Sequence, residues 1–208
     1  MAKAKRAARV VKKVKKAVAR AGGRSARVVD DVLNATLAEL VRSGYGALRV
    51  EDVAHAAGVN KTTVYRRWAT KMALVTDALK LERMRTRVDP DTGSLKGDLR
   101  IILESLLEIA NTPLSVAWNA ELRNPEVRAI IQDLRRPFEI DWTKCIARGM
   151  ARGELPPRTS PILLLEVLVS PVAGRMMRGE ELPDRDYCDR LIDLVIAGAR
   201  AVGRKTGS

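Results

Sequence analysis

"GVNKTTVYRRWATK", residues 58–71, holds four basic residues, three threonines and two aromatics, with Val59 and Val64 as its only branched aliphatics. Such a stretch buries little by itself, so its cations and hydroxyls face something other than a protein core. The residues just before it indicate what. Ala54, Gly58, Val59 and Val64 have the spacing of a helix-turn-helix: one helix over about 50–57, stopped by Gly58, and a second over 61–67 with Asn60 as N-cap. A small residue at 54 lets the two helices approach closely, and Gly58 permits the left-handed backbone of a sharp turn. Val53, Ala57, Val59 and Val64 form the small core between them. On the second helix, Lys61, Thr62, Tyr65 and Arg66 share a side that Val64 does not use. An amine, a hydroxyl, a phenol and a guanidinium on one short helix suit the major groove of DNA, where cations donate to guanine and hydroxyls serve bases or phosphates.

Upstream, Ser25 reads as an N-cap for a first helix. Val28, Val29, Val32, Leu33, Thr36, Leu37, Leu40 and Val41 follow at helical spacing, and Gly44 ends the run. Downstream, Thr70 caps a fourth helix that continues to about 87. Lys71 stands in its first turn, where the helix dipole disfavours a cation. A DNA phosphate held by Lys71 and the backbone N–H groups there would offset that cost.

The chain has 208 residues and a formal charge of +13, unevenly placed. Residues 1–24 carry ten Lys/Arg and no acid, which leaves 28 cations against 25 acids, a net of +3, for the rest. A nearly balanced body with a strongly basic tail points to a polyanionic partner. The tail, residues 1–24, is expected to be disordered until it meets an anion; a solvated charge run that aids solubility is the plainer alternative. It has no uninterrupted apolar segment of signal-peptide type, and the apolar run "PILLLEVLVSPVAG" is too short to span a bilayer and contains Glu166. Cys145 and Cys188 fit neither a CxxC nor a zinc spacing. A reduced, cytoplasmic protein associated with the nucleoid and not with a membrane is expected.

Residues 88–94, "VDPDTGS", mark the boundary between a DNA-binding unit at 25–87 and a larger helical unit at 95–205. Beyond it the same punctuation recurs: Thr112-Pro113, Asn124-Pro125 and Ser160-Pro161 each place a cap before a proline at the first helical position. Asp184 caps the last helix, Gly153 and Gly179 sit at C-termini, and Pro137 is expected to kink or break the helix that starts at Pro125. With no strand signal, the fold class is all-α, with about five helices after residue 95.

"GYGALRVEDVAHAAGVNKTTVYRRWATKMALV" resembles the DNA-binding segment of the TetR family of transcriptional regulators. Gly44-Tyr45, Ala57-Gly58-Val59, Tyr65, Trp68 and Lys71 occupy the places of that family's pattern, over about residues 25–79. The resemblance implies that Thr63, Tyr65 and Lys71 touch phosphates, and that Lys61, Thr62, Arg66 and Arg67 lie at or near base edges. Arg49 departs from it, standing where a capping Thr is common. Glu51 is either a base contact or an ordinary acid at a helix N-terminus. Tyr45 and Trp68 are expected in the core, and His55 on the surface.

The later segments "GELP", "SPILLLEVLVSPVAGRMMRGE" and "LPDRDYCDRLIDLVIAGAR" resemble the last two helices of an actinobacterial-type TetR regulatory domain. The helix from Pro161 is apolar nearly all round, and so needs burial on more than one side. A four-helix bundle with a second copy would supply it, through Leu164, Leu168, Leu191, Leu194 and Val195; plain monomer core is the alternative. Trp118, Phe138, Trp142, Met150, Met176 and Met177 are the large adaptable side chains of this half. They are candidates for the effector cavity that the resemblance implies, or ordinary core.

The expected function is a homodimeric transcriptional regulator, a repressor released from a palindromic double-stranded DNA operator by a small apolar effector. The alternative is a nucleoid-type architectural protein that binds DNA with little sequence preference. No GxSxG, P-loop, His/carboxylate pair or metal cluster appears, so no catalytic residue, metal or cofactor is assigned.

Overall fold

The computed structural model describes residues 24–205, apart from the side chains of residues 24, 135–139 and 203–205. Within them lie nine helices and no strand: α1 (Arg24–Ala47), α2 (Val50–Ala56), α3 (Lys61–Arg67), α4 (Lys71–Thr86), α5 (Leu95–Ala110), α6 (Pro113–Asn119), α7 (Pro125–Ala151), α8 (Pro161–Arg178) and α9 (Arg185–Lys205). The class is all-α, as the sequence predicts.

Local capping chemistry sets most boundaries. Asn60, Thr70, Ser94, Thr112, Asn124 and Ser160 each accept a backbone N–H two or three residues on. Asp184 does the same for Tyr187 at 2.8 Å. Each such bond satisfies an orphan donor at a helix start and contributes about 1 kcal/mol. Arg49 makes no such bond, so α2 starts uncapped. Ser25 does not cap α1. Helix is already formed at Arg24, so Ser25 lies inside α1 and not at its cap.

Two apolar clusters divide the helices. The first gathers α1–α4 around Val32, Leu40, Tyr45, Val53, Val64 and Leu74. The second gathers α5, α8 and α9 around Leu99, Ile102, Leu103, Leu168 and Ile192. α7 belongs to both. Its first half sends Val127, Ile130 and Leu134 into the first cluster, and its second half sends Trp142, Cys145 and Ile146 into the second. It runs as one 27-residue helix through Pro137, contrary to the expected break. Proline removes one backbone bond, and the two halves of the helix pack against separate cores.

Polar ties fix α7 to the segment before α5. Asp141, 4% exposed, takes Arg87 in a two-pronged contact at 2.5 and 2.6 Å. Fully buried Asp98 accepts from the Thr92 N–H and hydroxyl, both at 2.7 Å, and from Arg152 at 3.3 Å. Among the described residues no helix is long and apolar enough to cross a membrane.

Candidate nucleic-acid interface and regulatory cavity

The turn between α2 and α3 follows from Gly58. At φ 65° it takes the left-handed conformation. The Gly58 N–H reaches the His55 carbonyl at 3.0 Å, and the Val59 N–H reaches Ala54 at 2.9 Å. That pair of bonds closes a Schellman-type end. Ala54 is 2% exposed where the helices meet, and Val53 and Val64 are buried beneath them.

With Val64 inward, α3 turns Lys61, Thr62, Tyr65, Arg66 and Arg67 to solvent, and Thr63 is half-buried. Tyr65 is 43% exposed, a large aromatic that the fold leaves uncovered. Arg67 lies over the Trp68 ring at 5.5 Å. Trp68 is itself buried, with its indole N–H donating to Asp77 at 2.9 Å, which anchors the end of α3 to α4. Glu51 and Asp52 sit in the first turn of α2, the ordinary place for an acid. His55 is exposed.

Lys71 is tied to the end of α1. Its ammonium donates to the carbonyls of Tyr45 at 2.9 Å and Gly46 at 3.4 Å, and lies 4.5 Å from the centre of the Tyr45 ring. Carbonyl dipoles at the end of α1 offset the cation at the start of α4. Two of its three donors are spent inside the protein.

Tyr45 is 1% exposed and joins the two halves of the chain. Its hydroxyl donates to Glu126 in the first turn of α7 at 2.5 Å. Burial, with the adjoining Glu126 carboxylate, pushes the phenol pKa well up, so it stays a donor. The neighbouring Gly46 N–H donates to Glu121 at 3.2 Å. Gly44, at φ 73°, lies so close to Glu121 that an added Cβ would sit 2.7 Å from its carboxylate oxygen. These long-range contacts had no local signal in the sequence.

A cavity of about 200 Å³ opens between α4, α5, α6 and α7. Leu79, Leu106, Ile109, Trp118, Ile131 and Met176 supply much of its apolar wall. Of the six candidates for an effector site, Trp118 and Met176 line it. Trp142 is core at 7% exposure, Met150 packs against the same cluster, and Met177 is 59% exposed, so these three do not form its wall. The side chain of Phe138 lies outside the described residues. Arg83, absent from the sequence candidates, lines the cavity, and burial lowers its guanidinium to about 10.

The proposed dimer residues also divide. Leu164, Leu168 and Val195 are buried within the single chain, at 5%, 0% and 7% exposure, and so are core. Leu194 is 70% exposed, and Leu191 is half-buried. The apolar residues that α8 and α9 leave outside include Leu163, Val167, Met177, Leu194 and Val202. Cys145 is fully buried, and its thiol is pushed up to about 12, mainly by burial, which removes thiolate chemistry at neutral pH. Among the described residues no group of His, Cys, Asp and Glu is placed to hold a metal.

The helix-turn-helix, its exposed cationic helix and the all-helical body define a DNA-binding regulator. Comparison with known proteins agrees. Residues 32–78 match the bacterial regulatory proteins of the tetR family, and residues 89–195 match the tetracyclin repressor-like C-terminal domain. The HTH-type transcriptional regulator AqdR of Rhodococcus erythropolis is 36% identical over 154 residues, 72% of this chain and 74% of that one. The DNA-binding transcriptional repressor TetR of Mycobacteroides abscessus is 29% identical over 185 residues, 86% and 95% of the two chains. The crystal structure of the TetR family transcription regulator SCO0332 superposes with a TM-score of 0.68 at 24% identity, over 82% of this chain and 97% of that one. The chain belongs to the TetR family: it is a helix-turn-helix transcriptional regulator and not an enzyme. The architectural alternative gains no support from these relatives.

Proposed function

We propose that the chain is a cytoplasmic repressor that binds a palindromic operator as a homodimer and is released by a small effector. The observation that carries this reading is the outward face of α3. Lys61, Thr62, Tyr65, Arg66 and Arg67 stand exposed on a helix whose Val64 is 1% exposed and locked in the core. In this reading Lys61, Thr62, Arg66 and Arg67 approach base edges, while Thr63 and Tyr65 contact phosphates. Lys71 contributes to phosphate binding through its remaining donor. Residues 25–87 form the DNA-binding unit and residues 95–205 the regulatory one.

The second copy is supported by a seam on the outside of α8 and α9. Leu163, Val167, Ser170, Gly174 and Met177 follow one another at alternating spacings of four and three, as do Tyr187, Leu191, Leu194, Gly198 and Ala201. That is the repeat with which helices pack side by side, and Gly198, with open space at its Cβ position, permits close approach. Two-fold pairing would place two α3 helices on half-sites one helical turn apart, about 34–36 Å. The cavity beside Trp118 supports an effector site, and a ligand that binds the DNA-incompetent arrangement better would release the operator. Selection of bound sequences from a random DNA pool, followed by footprinting, tests the reading. A protected palindrome is expected; even coverage without a consensus would overturn it.

A further inference from the structure

Resting on the reading of the cavity as an effector site, we infer that it takes a small organic acid, with an apolar body against Trp118 and a carboxylate paired with the guanidinium of Arg83. The size and lining set the body. At about 200 Å³ the space is smaller than the ~300–1,000 Å³ of sites for drug-sized ligands, so the occupant has on the order of ten non-hydrogen atoms. Leu106, Ile109, Trp118 and Ile131 present hydrocarbon and an aromatic surface to it.

The polar residues of the wall narrow the head group. Thr112 donates its hydroxyl to the Ile109 carbonyl at 2.8 Å and accepts the Ser115 N–H at 3.2 Å, which is its capping role. Thr86 donates to the Glu82 carbonyl at 3.2 Å. Both hydroxyl protons are engaged by backbone. Glu82 pairs with Arg85 at 3.4 Å, where both side chains are more than a third exposed and water screens them. Arg83, which has protein partners of its own, is the other ion on the wall, and its lowered pKa of about 10 has burial as its cause. It stays cationic at neutral pH in a partly desolvated place.

A guanidinium carries five N–H donors in a planar fork, so a carboxylate can join protein acceptors there without displacing them. Charge-assisted bonds strengthen as water is excluded, which a bound apolar body would do. A neutral alcohol gains one ordinary hydrogen bond at the same place. An amine meets a like charge at Arg83, and the Glu82 that could pair with it is more than a third exposed and screened by water.

The test uses the full-length protein and three probes with one body: 4-phenylbutyrate, 4-phenylbutan-1-ol and 4-phenylbutylamine, titrated calorimetrically at pH 7. The acid is expected to bind about tenfold or more tighter than the alcohol, with the amine weakest. Arg83→Gln is expected to bring acid and alcohol within about twofold of each other while the alcohol keeps its affinity. Equal binding of acid and alcohol, or an amine that binds best, would overturn the acid assignment and leave the cavity as an effector site. Absence of binding by all three would overturn both. Should Arg83→Gln fail to fold by circular dichroism, the wild-type ranking still decides, together with Ser115→Trp, which fills the cavity from α6. Undiminished acid binding to Ser115→Trp would place the acid elsewhere and overturn the inference.

Discussion

The indole of Trp118 meets the ring of Tyr45 edge-on, with centroids 6.1 Å apart and planes at 87°. Trp118 lines the cavity, and Tyr45 is the buried residue whose carbonyl holds Lys71 at 2.9 Å and whose hydroxyl holds Glu126. One aromatic contact therefore separates the cavity from the residue that ties α1 to the start of α4, directly after α3.

Tyr45→Phe keeps the ring and removes only the hydroxyl bond to Glu126. Because Glu126 is exposed, water can serve the carboxylate in the variant. The expected loss of stability is about 1 kcal/mol. Trp118→Ala removes both the edge contact and part of the cavity wall, and is expected to cost about 2–4 kcal/mol. Urea unfolding of both variants checks the ranking. A larger loss for Tyr45→Phe than for Trp118→Ala would show that the hydroxyl, not the ring pair, holds the junction.

Exposed α3 side chains should separate specificity from affinity. Replacing Lys61 or Arg66 by Ala is expected to cost about 1–3 kcal/mol in operator binding and to relax sequence preference at one position of each half-site. Tyr65→Phe should weaken binding to every sequence alike. Pools selected with each variant provide the comparison, and an unchanged consensus and affinity for both alanine variants would remove them as base-reading residues.

Leu194 and Val195 are neighbours on α9 with opposite surroundings, 70% and 7% exposed. Leu194→Asp should leave the single chain folded and split the proposed dimer. Val195→Asp puts a carboxylate into the core and should prevent stable folding, at several kcal/mol. Leu163→Asp, 60% exposed on α8, should behave like Leu194→Asp. Sedimentation velocity together with circular dichroism distinguishes these outcomes; an intact dimer for both exposed-site variants would move the interface away from α8 and α9.

Those two neighbours also show where sequence legibility ends. Caps such as Asn60, Thr70 and Asp184 were readable because their chemistry acts within three residues, and Gly58 because a sharp turn needs its backbone. The outward face of α3 was readable because one buried residue, Val64, fixes the rotation of a short helix. By contrast, α8 is apolar nearly all round, and nothing in its composition tells which side meets its own chain, so the choice between a seam and monomer core for Leu164 and Leu168, which are core, is not legible. Trp142 and Met150 share the size of Trp118 and Met176, but size does not encode which core layer a residue enters. Arg83, Glu121 and the Arg87–Asp141 pair depend on chain crossings that periodicity does not contain. Ser25 failed as a cap because a capping residue type says nothing about helix already present before it.

Asp141 should shape the acid limb of stability. Burial by itself would raise its carboxyl, but hydrogen bonds and charge from Arg87, joined by Lys144, outweigh it and leave the pKa below the ordinary value. In acid, then, the unfolded chain binds the proton more readily than the folded one, and stability falls as pH falls. This contribution is present above about pH 4, the value of an unfolded aspartate, and is lost as pH drops through the lower folded value. Asp141→Asn should reduce stability at pH 7 and flatten the decline below pH 4. Urea midpoints measured from pH 7 to pH 2.5 would show it, and a wild-type acid limb in the variant would exclude the pair as a contributor.

The basic tail lies outside the described residues, and its charge alone supports the last prediction. Residues 1–22 contain nine Lys/Arg and no acid, and they precede the first described residue of α1, a helix of the DNA-binding unit. Each phosphate neutralised by one of these cations releases condensed counterions, so log K against log salt steepens by about 0.9 per contact. Deleting residues 1–22 should weaken operator binding at low salt and flatten that slope by several units. The consensus should stay intact, because phosphate contacts position a protein without reading sequence. Basic arms of this kind also enter the minor groove beside a recognition helix, in which case preference for A·T pairs flanking the half-sites should fade in the truncated protein. Mobility-shift titrations of both proteins at four or more salt concentrations supply the slopes. Equal slopes would show that the tail makes no contact with DNA, and that the nearly neutral remainder of the chain binds the operator through α3 and its neighbours alone.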